Sequence, residues 1–112
     1  MHIYTGYFAK HGKHPRAVSI ARGQPMAFDL PEILEFAPPR SLLAAYKSGR
    51  VGWEQYEVRY VDRLNLVAGD CAEGLLRDGM VLLCWEGPGK NCHRHLLASW
   101  LQEYYHDVEE LS

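Results

Sequence analysis

The sequence predicts an α/β fold, a single small domain in which helices pack on a short, mainly parallel sheet. Three observations carry this. The run Met80–Trp85 is unbroken apolar sequence of strand length, as a central strand covered on both faces requires. The chain opens on stretches rich in β-branched and aromatic residues, and its middle and end show apolar residues at helical spacing. The 112 residues, 47% hydrophobic and 23% charged, suit one domain with one modest core. No repeat, linker or low-complexity tract suggests a boundary within 1–112.

Taken in order, His2–Ala9 (HIYTGYFA) predicts the first strand. Lys10–Arg16 is polar and broken by Gly12 and Pro15, a loop. Ala17–Arg22 alternates and predicts a second strand, ended by Gly23 and Pro25. Ala27–Pro39 holds three prolines and predicts an irregular segment with a short helical turn after Pro31. Arg40–Gly49 predicts a short helix stopped by Gly49. Within Gly52–Asn65, Trp53, Tyr56, Tyr60 and Leu64 recur at helical spacing and draw one face. Ala72–Gly79 reads as a short helix interrupted by Gly74. Met80–Trp85 is the central strand. The last helix starts near Cys92, with Leu97, Trp100, Leu101, Tyr104 and Val108 as its inward stripe. Only the end, VEELS (Val108–Ser112), reads as disordered.

The net charge of -2, with six histidines neutral, argues against a protein that coats nucleic acid by bulk charge and leaves room for a local basic patch. No stretch approaches the roughly 20 apolar residues of a membrane span. The start, MHIYTG, lacks the basic and apolar regions of a signal peptide. Three irregularly spaced cysteines suit a reducing cytoplasm. The expected location is therefore cytoplasmic, with no membrane partner.

The chemistry concentrates in LLCWEGPGKNCHRHLLASWL (Leu82–Leu101), a buried strand, a glycine-rich loop and a helix opening on Cys-His-Arg. In an open α/β sheet a ligand sits outside the carboxyl ends of the strands, and the Cys84–Asn91 loop lies at such an end. Asn91 is a suitable N-cap. A helix start carries positive charge and free amides. Arg94 adds a fork suited to carboxylate or phosphate, and Lys90 lies in the loop. A thiol at Cys92 should ionise readily there. The spacing is not the Cys-x5-Arg of cysteine phosphatases.

Each residue also has a bland reading. Cys92 could be a small buried residue, His93 a satisfied core histidine, and Cys84 part of the core or the pocket floor. His95 falls on a solvated face. Glu86, just past a buried strand, needs pairing or solvation; it could pair with Arg94 or act as a general acid or base. Cys84, Cys92, His93 and His95 are zinc-type ligands. The Cys-x7-Cys-His spacing matches no familiar knuckle, and adjacent Cys92 and His93 rarely reach one metal, so no metal or cofactor is expected. Cys71 should be inert. Tyr56 and Tyr60, with Trp53, form a core-type stripe that offers a stacking surface if it borders the pocket. Lys47 could meet a phosphate, whereas Arg50 reads as solvated. Thr5 ends the first strand and could line the site.

The segments IYTGYF, AVSIARGQP, FAPPRSLLAAYKSG, WEQYEVRYVDRL and VLLCWEGPGKNCHRHLLASWL, in that order, resemble the domain of unknown function 488 family. The resemblance is looser over Gln24–Glu35. It implies a single α/β domain with a pocket at which Cys92, His93 and Arg94 are signature residues, Cys84 and Glu86 close by, and a link to nucleic-acid metabolism. The expected function is an enzyme for a small anionic substrate, nucleotides and nucleic-acid ends among the candidates. Cys92 would be the nucleophile or a polar contact, His93 the general base or an orienting group, Glu86 an acid/base partner, and Arg94 the anion holder. The alternatives are a non-catalytic anion- or nucleotide-binding module and a zinc-stabilised interaction protein.

Overall fold

A computed structural model of the chain describes residues 1–87, 90–104 and 107–111. The elements run β1 (His2–Tyr7), α1 (Phe8–His11), β2 (Ala17–Ser19), a 3-10 turn (Leu34–Phe36), α2 (Arg40–Lys47), α3 (Trp53–Val67), α4 (Ala72–Leu75), β3 (Val81–Cys84), α5 (His93–Tyr104) and β4 (Asp107–Glu110). The strands form one sheet in the order β2-β3-β1-β4. Every ladder among them is parallel: Tyr4 faces Val81, Ala17 faces Val81 from the other side, and His2 faces Asp107.

All four residues of β3 are buried. Leu82 and Cys84 join the larger core, built with Ile3, Tyr60, Leu64, Leu97 and Leu101 under α3 and α5. Val81 and Leu83 face the opposite way, into a smaller cluster with Phe8, Ala17 and Ala21. The central strand is thus apolar on both faces because both are covered. Each buried Leu or Val contributes about 1.5–3 kcal/mol. The Cα radius of gyration is 13.2 Å, as expected for one compact domain of this length.

Several boundaries depart from expectation. The first strand ends at Tyr7, because Phe8 turns beneath the sheet, where its ring meets Trp85 at 5.4 Å and Phe28 at 6.3 Å. The Gly12 N–H donates to the Phe8 carbonyl and closes α1. β2 is shorter than Ala17–Arg22. Its last residue, Ser19, exchanges hydrogen bonds with the proline-rich segment: Ser19 N–H to Pro31 O at 2.8 Å, and Ile33 N–H to Ser19 O at 2.9 Å. That segment covers the open edge of β2. The turn after Pro31 is the 3-10 turn. Gly49 has φ +81°, so it stops α2 as the sequence predicted.

The largest departure is the C-terminus. Val108 belongs neither to a helix stripe nor to a disordered tail. It is buried in β4, beside Ile3 of β1. Leu97, Trp100 and Leu101 do face inward; the Tyr104 side chain, Pro88, Gly89, His106 and Ser112 lie outside the described residues. No helix among the described residues is long and apolar enough to cross a membrane.

Candidate active site at the carboxyl ends of β2 and β3

α5 begins at His93, one residue later than the Asn91 cap predicted, so Cys92 sits just before the first turn. The His93 ring reaches back over the sheet, with Nε2 2.7 Å from the Ile20 carbonyl just past β2. A carbonyl only accepts, so Nε2 carries the proton and Nδ1 keeps its lone pair. Nδ1 is 3.8 Å from Cys92 Sγ. Burial lowers the His93 pKa to about 4, helped by the nearby charges of Arg94 and His95 and opposed by the Ile20 bond. The imidazole is therefore neutral at pH 7.

The two cysteines that border this ring, far apart in the predicted elements, come together. Cys84 Sγ and Cys92 Sγ are bonded at 2.13 Å, and their Cα atoms are 7.4 Å apart. Cys71 is exposed and free. His95 points to solvent, as expected.

Arg94 departs from the expectation that it holds an incoming anion. It is completely buried. Its Nε lies 3.1 Å from both carboxylate oxygens of Glu110, and Nη2 lies 2.8 Å from Oε2. Nη1 donates to Cys84 Sγ at 3.0 Å and to the Glu86 carbonyl. These contacts occupy the guanidinium inside the protein. Thr5 is equally internal: its hydroxyl donates to Glu110 Oε1 at 2.5 Å. Burial works to raise the Glu110 pKa, but hydrogen bonds from Arg94 and Thr5 and the Arg94 charge outweigh it and hold the carboxyl below its usual value. The carboxylate that pairs with Arg94 is thus Glu110, not Glu86.

Free of that pairing, Glu86 lines a cleft of about 650 Å³ that opens beyond β2 and β3, with His93 on its inner wall. Three cationic residues, Arg22, Arg40 and Lys47, line it as well. Lys47 was predicted; Arg22 and Arg40 were not. Arg22 is anchored by its Nε bond to the Pro38 carbonyl at 2.8 Å. Trp85 forms another wall, 53% exposed, its indole N–H fixed on the Gly23 carbonyl at 2.8 Å. A narrower hollow of about 60 Å³ shares Lys47, Glu86 and His93 with the cleft and adds Cys92 and Tyr56. Burial and the Glu86 charge push the Tyr56 hydroxyl well above its ordinary pKa, so it stays protonated. Tyr60 is a core residue, its hydroxyl donating to the Phe36 carbonyl at 2.7 Å. Lys90 and Arg50 are exposed, and Arg50 Nε bonds Ser48 Oγ at 3.0 Å.

Residues 13–105 match a family model described as the active DUF488-N3 subclade. This chain belongs to the domain of unknown function 488 family. No curated protein and no solved structure matched it. The span shared with the DUF488 family takes in β2, the three cleft cations, Cys84, Glu86 and Cys92–Arg94. Thr5 and Glu110, which together hold Arg94 in place, lie on either side of it. In this DUF488 member His93 lines the cleft and Cys92 the narrower hollow beside it, while Arg94 braces the ends of β3 and β4.

Proposed function

We propose that the chain is an enzyme acting on a small phosphorylated or otherwise anionic substrate, nucleotides being the first class to test. The observation that carries this is the placement of His93. It is a neutral imidazole with its Nδ1 lone pair beside Cys92 Sγ, on the inner wall of a cleft lined by three cations.

The anion is held by Arg22, Arg40 and Lys47, a role taken over from Arg94. Trp85 offers its exposed ring to an aromatic portion of the ligand. The reacting end lies at Cys92, His93 and Glu86, with Cys84 behind Cys92. In a reducing cytoplasm, where the chain would work, Cys84 and Cys92 stand as thiols. His93 then accepts a hydrogen bond from the Cys92 thiol, and Glu86 transfers protons at the cleft. Cys92 acts as the nucleophile or, with Cys84 and His93, as a metal ligand.

The test is to incubate reduced protein with a panel of phosphorylated compounds and follow their consumption by mass spectrometry. Wild-type protein should consume one of them, and Cys92→Ser should not. A ligand bound and never consumed would favour the non-catalytic binding module.

A further inference from the structure

We propose that Cys84, Cys92 and His93 form a zinc site whose fourth position faces the hollow beside the cleft. The two sulfurs and an imidazole nitrogen of His93 all lie within 4.8 Å of one another, and all three residues are buried. Two thiolates and an imidazole are the ligands zinc favours, and three protein ligands with one open position is the pattern of catalytic zinc.

Sequence adjacency does not keep Cys92 and His93 from one metal, because Nδ1 and Sγ lie 3.8 Å apart. Cys92 precedes the helix and His93 opens it, so their side chains converge although they are neighbours in sequence. The ring is also oriented as a ligand should be. Nε2–H rests on the Ile20 carbonyl, the kind of outer partner that fixes the tautomer of a metal-binding histidine. The Arg94 guanidinium donates to Cys84 Sγ, the kind of outer hydrogen bond that steadies a metal-bound thiolate. The backbone spacing points the same way. The 7.4 Å between the Cα atoms exceeds the usual 4.4–6.8 Å of a disulfide. Sulfurs held about 2.3 Å from a tetrahedral zinc stand roughly 3.8 Å apart, which that spacing accommodates.

Metal binding begins with reduction. Two equivalents of a low-molecular-weight thiol supply two electrons and two protons to the Cys84–Cys92 bond and leave joined as their own disulfide. Zinc then displaces one proton from each thiol. The open position adjoins the hollow shared by Cys92, His93 and Glu86. Water or substrate bound there would stand beside a carboxylate able to accept a proton. The site itself does not depend on the proposed function; only its catalytic use does.

Cobalt titration under reducing conditions, in a Cys71→Ser background, tests it. One equivalent of cobalt should saturate a thiolate-to-cobalt charge-transfer band of two-thiolate intensity, and zinc should abolish it. Cys84→Ser should weaken zinc binding by more than the roughly 10–100-fold that outer partners are worth. If Cys84→Ser does not fold, the band intensity of the parent chain decides alone. No stoichiometric band in the folded, reduced protein, or a band unchanged by Cys84→Ser, overturns the site. Binding of a nucleoside phosphate is measured on the same metal-free chain. Failure of metal binding with ligand binding intact rejects the zinc site alone, and the reverse rejects the anion cleft alone.

Discussion

Nη2 of Arg94, the second residue of α5, lies 2.8 Å from Oε2 of Glu110, the last residue of β4. The guanidinium has no exposure, while the Glu110 side chain is 35% exposed. Removing the carboxylate charge would leave a buried cation with only neutral partners. A fully buried pair broken this way costs roughly 3–5 kcal/mol, and the partial exposure of Glu110 reduces that. Glu110→Gln should therefore destabilise the fold by about 2 kcal/mol, measured by denaturant unfolding.

The same contact has a pH signature. Glu110 has a lowered pKa in the folded chain, so its contribution is complete above the unfolded carboxyl pKa. It is lost as pH falls through the folded value. Wild type and Glu110→Gln should converge in stability as acid is added, which unfolding curves from neutral to strongly acidic pH will show.

His93 acts in a higher window. Its folded pKa is about 4, against about 6.5 in the unfolded chain. The unfolded state binds the extra proton first. Stability should hold above pH 6.5 and fall between about 6.5 and 4, by up to roughly 3 kcal/mol in reduced, metal-free protein. His93→Gln should flatten that part of the profile. An equal slope in the variant would mean that other groups produce it.

In the cleft, Lys47 and Arg40 are exposed, so truncating them should leave the fold intact. Lys47→Ala and Arg40→Ala should each weaken binding of a nucleoside phosphate about tenfold or more, as loss of a charged hydrogen bond does. Calorimetric titration at fixed ionic strength reads this directly.

Trp85 separates a nucleotide from a plain anion. Stacking of a base on an aromatic ring is worth roughly 1–3 kcal/mol. Trp85→Ala should weaken a nucleoside phosphate by that amount and leave inorganic pyrophosphate unchanged. Circular dichroism must first show that losing the Phe8 and Gly23 contacts has not disturbed the fold.

The parts legible in the sequence were those whose pattern matches a period. Val81–Cys84 is apolar throughout, and it is buried on both faces. Trp53, Tyr56, Tyr60 and Leu64 recur at helical spacing and lie on one side of α3. Gly49 stops α2 because it alone takes a positive φ easily. β4 was illegible because Asp-Val-Glu-Glu holds one apolar residue among three acids. Its strand character comes from pairing with β1, more than a hundred residues earlier in sequence, which no local pattern announces.

The site divided along the same line. Topology alone directs attention to the loop after β3, which opens beyond the carboxyl ends of the strands, where the candidate cleft lies. Cys92 and His93 were visible as neighbours. Arg94 was read as facing the ligand because its charge suited one. The helix start instead turns it toward the sheet, where Glu110 satisfies it. Arg22, Arg40 and Trp85 come from separate segments and meet only in the folded chain, so spacing could not group them.

If the proposed function holds, an anionic ligand docks against Cys92 and His93. The most direct test is alkylation of the reduced, metal-free chain by iodoacetamide, mapped by mass spectrometry to Cys71, Cys84 and Cys92, with and without nucleoside phosphates. One such ligand, at ten times its Kd, should slow labelling of Cys92 about tenfold by occupancy and leave exposed Cys71 unchanged. Cys92 labelling that no phosphorylated ligand slows, in a folded chain, would contradict it.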